Sequence, residues 1–168
     1  VPLFSRRPSL PAPIREQLAL PPRDRVLVAT ELTGGGWAAA TRRALYVVDP
    51  TVDRRPWADV DRATLDADTS VLTVHWVTGT SQELALTGSG APAFAQVLRE
   101  RVQSSVVHSE KVPVKGAGTV RVALRRDEDG ELMSQVIGDG TVDLTDPTVA
   151  ALVDAAERRV RAAAGLAG

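Results

Sequence analysis

The sequence has no cysteine, which removes disulfide stapling, thiol nucleophiles and cysteine-ligated zinc from its possible chemistries. Aromatic residues make up only 4%, so a surface of interleaved bases and rings for stacking single-stranded nucleic acid is not visible. An excess of charge of one sign is also missing. Lys+Arg is 20 against Asp+Glu 21, so no overall field draws the chain to nucleic acid or anionic lipid, and no nucleic-acid partner is expected. No apolar run approaches the roughly 20 residues of a membrane-spanning helix. Arg6 and Arg7 are not followed by the apolar stretch of a signal peptide. Together these absences lead to the expectation of a cytoplasmic protein with no transmembrane segment.

The 168 residues suit one domain, or one domain with a compact appendage. With 43% hydrophobic and 24% charged residues, the chain can build a core and is poorly suited to wholesale disorder. The excess of arginine over lysine, with abundant Ala, Val and Asp, reads as codon usage of a GC-rich bacterial genome and carries no functional meaning.

Three regions follow from texture. Residues 1–24 carry Pro2, Pro8, Pro11, Pro13, Pro21 and Pro22, which fix φ and remove amide donors. They form an irregular surface arm with room for one helical turn over Ile14–Leu20. Residues 25–107 read as short antiparallel strands and one helix. The strands are Arg25–Leu32, Trp37–Thr41, Ala44–Asp49, Trp57–Ala67, Val71–Val77 and Gln82–Thr87. Thr33-Gly34-Gly35-Gly36 makes the first turn and Asp49–Pro56 a charged loop. A bulge near Asp61-Arg62 would bring Val60 onto the face of Ala63 and Leu65. Phe94, Val97, Leu98, Val102 and Val106 then recur at helical spacing behind Pro92, predicting an amphipathic helix. Residues 108–168 add a hairpin, Val120–Arg126 and Glu131–Ile137 around Asp127-Glu128-Asp129-Gly130. A second helix follows, capped by Asp146 with Pro147 at its first position.

The stretch from Ala40-Thr41-Arg42-Arg43 to Ala44-Leu45-Tyr46-Val47-Val48, the entry Pro56-Trp57-Ala58-Asp59-Val60, and the strand–turn–strand–helix over Val71–Val107 resemble bacterial pleckstrin-homology-like (GRAM-like) domains. The resemblance covers residues 15–107 and lies in texture, not in chemical motifs. It implies an α+β, mainly β fold: an antiparallel barrel closed by the amphipathic helix, with the later hairpin and helix packed on it.

Chemistry-bearing motifs are sparse. Thr33–Gly36 lacks the Lys-Ser/Thr of a phosphate loop and leads into a strand, so it reads as a hairpin turn. His75 and His108 have no acid at metal-ligand spacing and no nucleophile motif nearby. The acidic turns at Asp127–Asp129 and Asp139–Asp143 lack the closing Glu of an EF-hand and read as turns and a helix cap. No metal, cofactor or catalytic residue is therefore assigned, and the chain reads as no enzyme. The best surface candidates are Arg42, Arg43, Arg54 and Arg55, with Trp57. In lipid-binding pleckstrin-homology-like domains the resemblance places the basic residues on the first hairpin, whereas Thr33–Gly36 here has none.

Three functions are weighed. The first is a non-catalytic interaction or scaffold module binding a protein partner or a second copy of itself. The alternative is an anion or membrane-surface binding module using Arg42, Arg43, Arg54 and Arg55. The third, an enzyme in a cleft between barrel and tail, would need His75 or His108 beside buried carboxylates.

Overall fold

The computed structural model describes residues 9–166. Its elements follow the order α1 (Ala12–Gln17), β1 (Val26–Glu31), β2 (Trp37–Thr41), β3 (Ala44–Val48), β4 (Val52–Pro56), β5 (Val60–Asp66), β6 (Val71–Trp76), β7 (Ser81–Ala85), α2 (Ala91–Ser105), β8 (Val106–Val114), β9 (Gly118–Arg126), β10 (Leu132–Gly138) and α3 (Pro147–Ala163). The fold is α+β and mainly β, with antiparallel sheets β1-β2-β3-β4, β5-β6-β7 and β8-β9-β10.

The first two sheets enclose the main core. Leu32, Ala38, Ala40, Leu45 and Val47 face Val60, Leu72, Val74, Trp76 and Leu84. Helix α2 closes this core with Phe94, Leu98 and Val102, and Phe94 and Leu98 have no exposed surface. Burying such a side chain stabilises by about 1.5–3 kcal/mol. The bulge anticipated near Asp61 is present as a register shift between Val60 and Arg62.

A closed barrel was expected, and the described strands do not form one. The two sheets touch along one seam, where Leu32 bridges Leu86, Thr33 N–H donates to Ala85 O and Thr87 N–H donates to Glu31 O. On the other side no ladder joins β4 to β5. Pro56 supplies no amide and the chain turns through a 3-10 segment at Trp57–Asp59, which interrupts strand pairing. Trp57 therefore opens a turn, not the strand predicted over Trp57–Ala67. The Asp49–Pro56 segment is also corrected. Its second half is strand β4, paired with β3 from Val48↔Val52 to Ala44↔Pro56.

The arm, over residues 9–24, holds a single short helix and is otherwise irregular. Its helix runs Ala12–Gln17, earlier than expected, and Leu10 and Leu18 are buried. They pack on the outer face of the first sheet against Ala29, Ala39, Ala44, Tyr46 and Val48. Strand β3 is buried along its whole length for this reason, with the core on one side and the arm on the other.

Beyond α2 the chain continues directly into β8, an element the sequence reading omitted. It pairs with β9, and β10 with the other edge of β9, so the expected hairpin is the larger part of a three-stranded sheet. Asp146 caps α3 by accepting from the amides of Thr148 at 2.7 Å and Val149 at 3.3 Å. Val149, Val153, Ala156 and Val160 then cover Val112, Val120, Val122 and Leu124.

Candidate functional site

Strand alternation sends Val120, Val122 and Leu124 towards α3, and Arg121, Ala123 and Arg125 to the opposite face of β9. That opposite face is partly open to solvent at Arg121 and closed at Ala123 and Arg125. It lies against the 3-10 turn and the start of β5, and Arg125 is only 1% exposed there. Its guanidinium donates to Trp57 O at 2.7 Å, Val60 O at 2.8 Å, Ala58 O at 3.1 Å and Ser105 Oγ at 2.5 Å from Nη2. Gln135 adds a donation from Nε2 to Ala58 O at 2.8 Å. Side chains thus supply donors to the carbonyls of this turn, of which Trp57 O also accepts from the Val60 amide. No carboxylate is among the hydrogen-bond partners of Arg125. Burial, then the like charge of Arg121, lowers its pKa to about 10, with Asp59 opposing the shift. Arg125 stays protonated at neutral pH, as a buried cation held by neutral acceptors.

A cleft of about 140 Å³ opens beside this joint. The β2–β3 turn forms one wall. Thr41 Oγ1 accepts from the amides of Arg43 at 3.1 Å and Ala44 at 3.0 Å, fixing the turn that presents Arg42 and Arg43. The Trp57 indole donates to Thr41 O at 3.1 Å and, with Ala58, forms the floor. The end of α2 contributes Arg101, Ser104 and Ser105, and the β9–β10 turn contributes Arg126, Asp127 and Glu128. Four arginines from three elements thus line one cavity with two carboxylates.

Both carboxylates are already engaged. Glu128 pairs with Arg54, and Asp127 Oδ1 accepts from the amides of Asp129 and Glu131, each at 2.9 Å. The hydroxyls are engaged too, since Ser104 donates to Arg101 O at 2.9 Å and Ser105 to Val102 O at 2.6 Å. The polar capacity left facing the cavity is that of the guanidinium groups. Arg42 and Arg101 have no ion-pair or hydrogen-bond partner among the described residues. Arg43 has a single distant contact with Asp129 at 3.8 Å, and Arg126 donates to Gly130 O at 3.4 Å.

The five residues singled out from sequence are therefore divided. Arg42, Arg43 and Trp57 line the cleft. Arg54 is turned to Tyr46 Oη at 3.1 Å and Glu128, with its guanidinium 5.8 Å from the Tyr46 ring centroid. Arg55 pairs with Asp53 at 3.1 Å and lies 5.2 Å from the Trp76 ring centroid. Sequence reasoning missed Arg101, Arg126 and Arg125. The first two were readable only as polar-face charges, and Arg125 occupied what looked like the solvent face of a hairpin.

The histidines sit elsewhere. His75 lines a separate cavity of about 190 Å³ with Asp61, Trp76 and Asp139. Asp61 there is engaged by Arg121 and, at 3.7 Å, by Arg62. His108 is exposed on β8. Among the described residues, no group of three or more His, Asp or Glu side chains is arranged to hold a metal. No helix described is long and apolar enough to cross a membrane.

No family model matches the chain, and no curated protein matches it.

Proposed function

We propose that this protein is a non-catalytic recognition module that holds a discrete anionic group in the cleft between Arg42, Arg43, Arg101 and Arg126. The observation that carries this reading is the convergence of those four arginines on one cavity whose carboxylates are already bound. Arginine suits the role because its planar fork donates two parallel hydrogen bonds to an oxyanion and stays charged at every physiological pH. The order of a four-stranded sheet, a three-stranded sheet and a covering helix supports a pleckstrin-homology-like framework for the module. The C-terminal sheet adds a wall which that framework would not itself supply.

The cleft favours a discrete anion over attachment to a membrane surface. Arg54 and Arg55 point into their own ion pairs, so they do not extend a basic plane from Arg42 and Arg43. The rim also carries Asp127, Glu128, Asp129 and Glu131, which a flat anionic surface would meet together with the arginines. A group reaching into the cavity meets the arginines first. The ligand is then a group on a partner protein or a small molecule, and the module acts by binding.

Thermal denaturation in sulfate tests this reading, because a ligand bound only to the folded state raises Tm. Sulfate also stabilises proteins in general, so the readout is the difference between variants. Wild type and Arg55→Ala should gain more than the double variant Arg42→Ala/Arg101→Ala, and the surplus should shrink with added sodium chloride. Equal gains in all three proteins would remove the cleft as the site.

A further inference from the structure

Resting on the anion-binding reading, we infer that the cleft is built for a phosphomonoester, a dianionic tetrahedral group, and not for a carboxylate. The cleft arginines are presented by three separate elements. Arg42 and Arg43 come from the β2–β3 turn, Arg101 from the end of α2 and Arg126 from the β9–β10 turn. A carboxylate has two oxygens in one plane and is satisfied by one or two guanidinium forks. A phosphoryl group has three terminal oxygens splayed about phosphorus and accepts from donors arriving on several sides. Three walls of guanidinium groups match the second geometry.

Charge points the same way. Glu128 is neutralised by Arg54, so four cleft arginines face the cavity with Asp127 as the remaining carboxylate. Behind the wall lies a further cation. Three of the acceptors that hold Arg125 are Trp57 O, Ala58 O and Ser105 Oγ, and these three residues line the cavity. Its charge has no bonded counter-ion, and a field from a low-dielectric site acts on the cavity with little screening. A single negative charge leaves this set under-compensated, and a double one matches it better. The hydroxyls and the indole donate to backbone carbonyls, so selectivity here arises from charge and direction and not from hydroxyl donors. The cavity of about 140 Å³ takes a compact group and leaves the remainder of the ligand outside. Inorganic phosphate, a small phosphate ester and a phosphorylated side chain share this chemistry.

The test is a calorimetric titration of the whole chain with methyl phosphate, sulfate and acetate at about pH 5 and about pH 7.5, since the second ionisation of a phosphomonoester has a pKa near 6. The charged groups facing the cavity are Arg42, Arg43, Arg101, Arg126, Asp127 and Glu128, with Asp129 near Arg43, and neither histidine lines it. Methyl phosphate should bind roughly tenfold more tightly at the higher pH, following its dianion. Sulfate keeps its charge throughout and should show no such gain, which separates titration of the ligand from titration of the protein. Acetate should bind at least about tenfold more weakly than sulfate, the factor expected for losing one charge-assisted hydrogen bond. A phosphoserine peptide should bind and its serine counterpart should not. Acetate matching sulfate would overturn the phosphomonoester assignment while leaving an anion site standing. Failure of every anion to bind would instead remove the underlying reading. Vesicles containing phosphatidic acid binding as tightly as the phosphoserine peptide would overturn the reach-in geometry.

Discussion

Phe94 has no exposed surface and lies among the strands of both main sheets, beneath a helix whose other inward residues are Leu98 and Val102. Truncating it leaves a cavity that rigid strands on two sides cannot collapse. Phe94→Ala should therefore cost about 3–5 kcal/mol in urea denaturation, and a loss below about 1 kcal/mol would contradict the closure of the core by α2. Trp57 belongs to a different kind of position. It is 5% exposed, packs in the same core, and still offers its indole N–H to Thr41 O. A sequence reading marks Trp57 as core or rim without the hydrogen bond, because Thr41 is distant along the chain. Arg42 and Arg43 were likewise visible as a basic pair at a turn, and so were Arg54 and Arg55. What separates the pairs is tertiary: Tyr46 and Glu128 capture Arg54, Asp53 and the Trp76 ring hold Arg55, and only Arg42 and Arg43 face a cavity.

At the scale of elements, helices with a strong period and a punctuated start were legible. Pro92 near the start of α2 and Asp146-Pro147 at the start of α3 are local signals, and both helices begin at or beside them. Strands β4 and β8 were not legible. Val52–Pro56 is charged and half-exposed, and Val106–Val114 is mostly exposed with a polar middle, His108–Lys111, so their strand state comes from the neighbour they pair with and not from apolar alternation. The contacts of the arm were not legible for a related reason. The continuous burial of Ala44-Leu45-Tyr46-Val47-Val48 requires cover on both faces, and Leu10 and Leu18 supply the outer cover. Strand β8 and helix α3 are further tied by Glu110, which accepts from Arg159 Nε at 3.0 Å through each carboxylate oxygen. The hydrogen bond from Arg159 holds the Glu110 carboxyl below its usual range, with a smaller coulombic contribution from the same residue and from His108. A carboxylate depressed in the folded state contributes stability above its unfolded pKa and loses it as pH falls through the folded value. The Tm of the wild type should thus fall on acidification below about pH 4, and Glu110→Gln should fall less steeply over that window. Parallel Tm–pH curves would show that the pair adds no pH-dependent stability.

At the scale of the whole molecule, the apolar residues form separate clusters. The core beneath α2 and the core beneath α3 share no residue, and the arm cluster is a third. The joint between the first two cores is chiefly polar: Arg125 into the 3-10 turn, Gln135 to Ala58 O, Arg121 to Asp61 and Arg54 to Glu128. Hydrophobic burial is what makes domains unfold as a unit, so here cooperativity between the two halves depends on this polar joint, in which Arg125 makes the most contacts. Replacing Arg125 by alanine removes the guanidinium donors to Trp57 O, Ala58 O, Val60 O and Ser105 Oγ together, leaving Ala58 O with Gln135 and Trp57 O with the Val60 amide. Each hydrogen bond lost from a charged donor at a buried site costs about 1.5–3 kcal/mol, and this cost falls on the joint and not on either apolar core. Arg125→Ala should therefore separate the urea transition into two. β8–β10 and α3 would lose protection first in native-state hydrogen exchange, while α2 and strands β1–β7 remain protected. The cleft, built from both halves, should lose its oxyanion response at the first transition. A single transition, with exchange rising uniformly across both halves, would mean that the polar joint is not what couples them.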